Sequence, residues 1–388
     1  MAGVEEIWSA AVNTLEHEKP FALATVVNVR GSTPREVGAK MIVRDDGQFG
    51  TIGGGCGEAE VFRKARLLLA QGHGARMAEV DLTGDFEQQQ IGTCGGIMDV
   101  FIDLWSPATD LPIARKLAES ASKSRPAALL TLVDPGSRSD LAPGAKAIVD
   151  PGGREALRES IGLGRPALDQ IAERARDAIP GLLEIDAAGK LKPVVRIQTT
   201  GSARVFVDPV SGAQRLIIAG AGHIAQPLCA LGAMLGFRVT VIDDRAAFAN
   251  RERFPQADEI IVRPFGAAID TLKLDRHCYL ISVTRGHAFD EEVVRAALRQ
   301  PDCFIGMIGS RRRVRTTLAR IEEDGADAKL LDEIHAPLGL DIGAETPEEI
   351  AVAIIGEIIR ERRTGLRDDF VLGAKRGRLR RAGETARG

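Results

Sequence analysis

The sequence predicts an α/β protein in two parts, an N-terminal α/β domain followed by a doubly wound parallel-sheet domain. Three observations lead there. The 388 residues exceed one ordinary core of roughly 100–200 residues. The C-terminal half alternates short apolar strands with helical stretches, the signature of parallel βαβ units. The first of those strands runs directly into a glycine turn and a helix. The expected spans are 1–200, 201–345, and a C-terminal helix with a basic tail over 346–388.

In the first part, Ile7, Ala11, Val12 and Leu15 recur at helical spacing, so 4–18 reads as an amphipathic helix ended by Pro20. Phe21–Val29 is apolar and rich in β-branched residues, as a buried strand should be, and runs into the turn-rich GSTPREVG at 31–38. Lys40–Arg44 and Gln48–Ile52 form a hairpin about Asp45-Asp46-Gly47, and the loop Gly53-Gly54-Gly55-Cys56-Gly57 precedes a helix from Glu58 to Gln71. Strands are expected at 75–82 and 97–104, with Thr93-Cys94-Gly95-Gly96 between them. From 107 to 193 the pattern is broken by Pro and Gly; helices near 111–122 and 165–178 and a strand at 127–133 complete the domain.

In the second part, Arg215-Leu-Ile-Ile-Ala is followed by Gly220-Ala221-Gly222-His223-Ile224-Ala225 and a helical Gln226–Leu235. Gly220 permits the tight turn, Gly222 lets backbone approach a diphosphate, and Ala225 lets helix and strand pack closely. The amides at the helix start would face an anion. A second strand ends in Asp243, about 20 residues on, as a Rossmann-type dinucleotide fingerprint requires. Asp243 is the natural acceptor for ribose hydroxyls, and nearby Arg245 leaves a phosphorylated ribose open. Further strands at 259–262, 278–283 and 303–308 complete the sheet.

Ligands of such sheets sit beyond the strands' carboxyl ends. His223, the run Thr284-Arg285-Gly286-His287, the run Gly309-Ser310-Arg311-Arg312-Arg313 and His335 are therefore expected near one crevice. Ser310 can cap the next helix, which puts Arg311, Arg312 and Arg313 at its positive end, suited to a phosphate or to solvent. The histidines could bind a metal, protonate a ligand or simply hydrogen-bond within loops, and no metal site is assigned. Thr346-Pro347-Glu348-Glu349 is a capping box opening a docking helix to about Arg362.

A net charge of −3 argues against a nucleic-acid-binding body. The tail from Arg360 onward is the basic exception, read as solvated or as a contact for an acidic protein. Five cysteines, an odd number without CxxC pairs, disfavour a disulfide framework or structural zinc. An acidic, amphipathic start and the lack of any run of about 20 apolar residues predict a cytoplasmic protein with no membrane partner. A homodimer is the default expectation for its assembly.

Cys56 and Cys94 each adjoin glycine at a strand end. Glycine there allows positive φ and close backbone approach. With Arg35 or Lys40 nearby, such a thiol could act as a thiolate that ligates a soft metal, accepts sulfur or attacks an electrophile; tight-turn packing is the alternative. Cys229, Cys278 and Cys303 lie in apolar patterns and read as packing residues.

GSTPREVGAKMIV, GTIGGGCGEAEV and TCGGIMDVFI, followed by LIIAGAGHIAQPL, VTVIDDR, TRGHAFDEEVVRAAL, FIGMIGSRRR and IHAPLGLDIGAETPEEIAVAI, occur in that order. Together they resemble the XdhC/CoxI family, maturation factors of molybdenum hydroxylases such as xanthine dehydrogenase. The resemblance implies binding of the molybdenum cofactor (molybdopterin or its dinucleotide), support of its sulfuration with a cysteine desulfurase, and delivery to an apo-enzyme. On that reading the glycine turn from Gly220 to Gly222, Asp243 and Arg311, Arg312 and Arg313 could hold the phosphate or nucleotide end, and His223, Ala225, His287 and Ser310 are counted with the cofactor-binding residues. Cys56 and Cys94, with Arg35, Lys40, Gly54 and Gly55, would face molybdenum or sulfur. The competing reading is an NAD(P)-dependent oxidoreductase.

Overall fold

The structure, a computed structural model, describes residues 3–82, 95–123, 126–137, 141–150, 155–158, 163, 165–176, 178–186, 190–194, 201–210, 212, 214–300 and 302–364. The chain divides into two compact units, Met1–Ala213 and Gln214–Gly388.

The first unit begins with helix α1 (Val4–Glu16), whose buried stripe of Ile7, Trp8, Ala11 and Leu15 follows from its apolar spacing. Strands β1 (Phe21–Arg30), β2 (Lys40–Arg44) and β3 (Gly47–Gly50) come next, then helix α2 (Gly55–Gln71), β4 (Ala75–Asp81) and β5 (Ile97–Trp105). These strands form an antiparallel sheet in the order β3-β2-β1-β5-β4. Alternation along β1 serves two cores: Ala22, Ala24 and Val26 meet Val61, Ala65 and Leu68 of α2, whereas Phe21 and Leu23 join Trp8 and Trp105 on the other face. The indole of Trp105 stacks on Phe21 with ring centres 5.7 Å apart.

Helix α3 (Pro107–Ser122) packs beside α1, and β6 (Ala127–Asp134), β7 (Lys146–Val149), β8 (Glu155–Arg158), helix α4 (Arg165–Arg176), β9 (Gly181–Ile185), β10 (Leu191–Pro193) and β11 (Ala203–Val210) follow. Their strands form a second antiparallel sheet, β10-β9-β11-β6-β7-β8. One face carries α4 through Ile171 and Ala175. The other meets the first sheet through Val27, Phe101, Val133, Leu182 and Phe206. Two buried ion pairs also join the sheets: Lys40 on β2 lies 2.8 Å from Asp208 on β11, and Lys146 on β7 lies 2.9 Å from Asp103 on β5. The sequence pattern does not announce this second sheet. Strand β11 pairs with β6 and β9, so it belongs to the first unit, which ends at Ala213. Pro209 sits inside β11 opposite Ala128.

The second unit runs β12 (Arg215–Ala219), α5 (Ala225–Met234), β13 (Arg238–Asp243), β14 (Glu259–Val262), α6 (Phe265–Thr271), β15 (Cys278–Ser282), α7 (His287–Ala297), β16 (Phe304–Met307), α8 (Arg311–Glu323), α9 (Ala328–Asp332) and α10 (Pro347–Thr364). The sheet is wholly parallel, in the order β14-β13-β12-β15-β16. Leu216 and Ile218 of β12 face α5 and α10, and Ile217 and Ala219 face the α6–α9 layer. This is the predicted doubly wound sheet. Its chain reverses direction of winding at β12, which places a crevice over that strand's carboxyl end.

Among the described residues no helix is long and apolar enough to cross a membrane. Residues 365–388, which hold most of the basic tail, lie outside the described residues.

Candidate functional site

At the end of β12 the fingerprint glycines have different jobs. Gly220 adopts φ +113°, and a Cβ there would lie 2.6 Å from the Val283 carbonyl oxygen, so the turn is jammed against the strand beside it. At Gly222 a Cβ would meet nothing within 4 Å, which leaves open space above the turn. Ala225 is fully buried beneath the start of α5. No side chain caps that start, so its first amides are available to an anion. His223 is exposed beside it.

Asp243 closes the turn from below. It is buried, and its Oδ2 accepts from Ala221 N at 2.9 Å while Arg245 donates Nε, Nη2 and its backbone N to the carboxylate. Arg245 lies over Phe248, 3.8 Å from the ring centre. Arg253, not singled out by the sequence, donates to Ala221 O at 3.1 Å and to Gln226. Beyond β13 and β15, Arg285 donates to both oxygens of Asp244, at 2.7 and 2.8 Å. That guanidinium holds the Asp244 carboxyl down at about 2.

The arginine run after β16 divides by burial. Ser310 caps α8 by accepting from Arg313 N at 3.2 Å, and Arg311 and Arg312 are exposed at the helix start. Arg313 turns inward to Asp290, a fully buried carboxylate that also accepts from Ser282 Oγ at 2.9 Å and Thr284 Oγ1 at 2.6 Å. Asp290 therefore ties β15, its loop and α8 together. The sequence signal for it is faint: polar Ser282 and Thr284 ending an apolar strand. His287 is exposed at the start of α7, 3.4 Å from Thr317 Oγ1. His335 is not in the crevice. It bridges Gly306, stacks on Phe304 at the opposite end of β16, and pairs with Glu357 at 3.2 Å.

In the first unit, the loops at 31–38, 51–54 and 95–96 converge at one end of the first sheet. A Cβ on Gly96 would lie 2.2 Å from Ser32 O, and one on Gly53 would lie 2.7 Å from Pro34 Cγ. Leu82 N donates to Gly96 O at 2.8 Å, and Gly57 packs against Val80 and Leu82. Helix α2 starts at Gly55 rather than Glu58, so Cys56 sits in its first turn instead of in a free loop, and the thiol is exposed. Three successive glycines hide that start, because glycine reads as a helix breaker. A Cβ at Gly54 or Gly55 would meet nothing within 4 Å.

Glu58 pins this loop, accepting from Thr51 Oγ1 at 2.5 Å, Ile52 N at 3.0 Å and Gly54 N at 3.1 Å. Burial opposes its charge, but those bonds and Gln48 hold its carboxyl below the usual range. Of the two cations expected near Cys56, Lys40 is committed to Asp208 and to Gly38 O. Arg35 is half-buried with its stem close to Gly53. Cys94 lies outside the described residues. Cys229, Cys278 and Cys303 are buried, and burial pushes their thiols up to about 11, 12 and 11. Among the described residues no three His, Cys, Asp or Glu side chains form a metal cluster.

Comparison with known proteins agrees with this division. The family model described as the XdhC Rossmann domain matches residues 216–358, and that described as the XdhC and CoxI family matches 14–81. The chain is 26% identical over 363 residues to the uncharacterized protein YqeB of Escherichia coli, covering 91% of this chain but 46% of that one, so it spans less than half of that relative. It is 26% identical to a probable xanthine dehydrogenase subunit of Bacillus subtilis, covering 90% of this chain and 95% of that one. Over 63 residues, 16% of this chain and 20% of the other, it is 40% identical to the E. coli molybdenum cofactor insertion chaperone PaoD. A Bacillus halodurans crystal structure described as a xanthine dehydrogenase shares the fold, with TM-score 0.67, 24% identity and 92% and 96% of the two chains covered.

Proposed function

The chain belongs to the XdhC and CoxI family, and from that premise we propose that it acts in molybdenum hydroxylase maturation as a chaperone that binds the molybdenum cofactor, supports its sulfuration and delivers it to an apo-enzyme. The observation that carries this reading is the exposed thiol of Cys56 in the first turn of α2, at the sheet end where the glycine loops converge. A soft donor beside open glycines suits a soft, dithiolene-bound metal or a transferred sulfur. The cofactor supplies the molybdenum chemistry when bound; the chain's residues hold and orient it.

In the C-terminal unit the uncapped start of α5, the open space over Gly222, and exposed Arg311 and Arg312 suit the anionic phosphate or nucleotide end. A cysteine desulfurase would supply sulfur, and a molybdenum hydroxylase apo-enzyme would receive the cofactor. Cys56→Ser tests the thiol: client enzyme matured with the variant should lose most of its activity, while the variant's far-UV circular dichroism and melting temperature stay at wild-type values. Full maturation by the Cys56→Ser variant would remove the thiol from the mechanism.

The sheet order and glycine turn also suit a second reading, an NAD(P)-dependent oxidoreductase. Tight NAD(P)H binding coupled to hydride transfer would favour it.

A further inference from the structure

Asp243 has little acceptor capacity left for a ligand. Its two oxygens receive four N–H donors, at 2.8 to 3.1 Å, from Ala221 and Arg245. A carboxylate offers about four lone-pair sites, and the residue is 1% exposed. A ribose hydroxyl reaching for it would have to dismantle the support of the glycine turn.

The next residue is placed differently. Asp244 is exposed, each of its oxygens takes one Arg285 donor, and Arg245 Nε stands farther off, 3.7 Å from Oδ1, so the carboxylate keeps acceptor capacity that Asp243 lacks. Arg285 lies over Phe289, 3.9 Å from the ring centre, with its side chain 36% exposed. Because β13 and β15 flank β12 on either side, the Asp244–Arg285 pair spans the carboxyl end of β12, where the glycine turn sits. Each partner presents what a nucleotide would replace: a carboxylate stands where Arg285 would meet phosphate, and N–H donors stand where Asp244 would meet ribose hydroxyls.

We propose that Asp244 and Arg285, rather than the fingerprint carboxylate Asp243, contact a nucleoside diphosphate in the C-terminal unit, Asp244 accepting from the ribose hydroxyls and Arg285 binding the diphosphate as the two release each other. This rests on the reading that the unit takes a phosphorylated nucleotide end. The ligand class is a ribonucleotide with free hydroxyls, since a 2′-phosphate would be set against the Asp244 carboxylate.

The test is calorimetric titration of the full chain with the 5′-diphosphates of adenosine and cytidine and with their 2′,3′-dideoxy counterparts. The wild type should bind at least one ribonucleotide about tenfold more tightly than its dideoxy form, the worth of a hydroxyl bonded to a charged acceptor. Asp244→Asn should bring that ratio close to one, Arg285→Leu should weaken both forms by a similar factor, and Asp243→Asn should leave the ratio unchanged. A ratio that survives Asp244→Asn and is erased by Asp243→Asn overturns the proposal while leaving nucleotide binding intact. If no diphosphate binds the wild type, the underlying reading and the proposal both fail.

Discussion

Both units hold a glycine turn open with a single carboxylate, but they recruit it from different distances. Glu58 belongs to the helix that its own turn begins and grips residues four to seven positions back. Asp243 comes from the neighbouring strand, 22 residues away, and grips Ala221 from beneath the sheet. A pin of local origin leaves the turn and its thiol exposed to solvent. A pin from a neighbouring strand makes the turn part of the core, so a ligand would meet what stands above it rather than the pin itself. A carboxylate beside a glycine motif is thus evidence of how the turn is held before it is evidence of what the turn binds.

The largest expected effect separates the two scaffolds. Lys146 is buried between Asp103 and Asp110, at 2.9 and 3.3 Å, so Lys146→Met strands two carboxylates and should cost about 3–5 kcal/mol. Both tryptophans, Trp8 and Trp105, lie in the first unit, and the fluorescence midpoint in guanidinium will report the loss. A change below about 1 kcal/mol would mean that the joint between the sheets rests on apolar packing alone. Gly220→Ala should come next, at about 2–3 kcal/mol, because it combines a positive φ with a clash against Val283 O. Faster amide hydrogen exchange over β12 and β15 is the expected readout, and unchanged exchange would show that the turn can relax.

Glu58→Gln removes charge from the local pin and should cost about 1 kcal/mol. It should also alter the pH profile. Folding lowers the carboxyl pKa of both Glu58 and Asp244, so each favours the native state above the ordinary carboxylate range near about pH 4 and loses that contribution as pH falls. For Asp244 the loss extends down to about pH 2. Side-chain NMR titration will locate it, and a midpoint near about pH 4 would mean that Arg285 is not held against it.

The legibility of the sequence follows the same contrast. The five strands of the parallel sheet stand as short apolar runs, and the pattern places each within a residue or two; in β12, β13 and β15 burial on both faces writes itself as a continuous stretch. In the first unit the hairpin and the two strands around Thr93–Gly96 are equally plain. The second sheet is not: β7, β9 and β10 are three to five residues long, too short for an alternating period to stand out among the Pro and Gly of that stretch. At the site, the glycines, Ser310 and Cys56 can be named from sequence. The destinations of Lys40 and Arg313, and the bond from Ala221 N to Asp243, cannot, since a contact between distant elements leaves no trace in spacing.

The central claim, that this chain carries the molybdenum cofactor, is tested most directly by metal and pterin analysis of the full-length protein isolated under anaerobic conditions from a cofactor-producing host. Molybdenum and pterin retained together in equal amounts through purification is the predicted result. A chain recovered without either, from cells whose molybdenum hydroxylases are fully loaded, would contradict it.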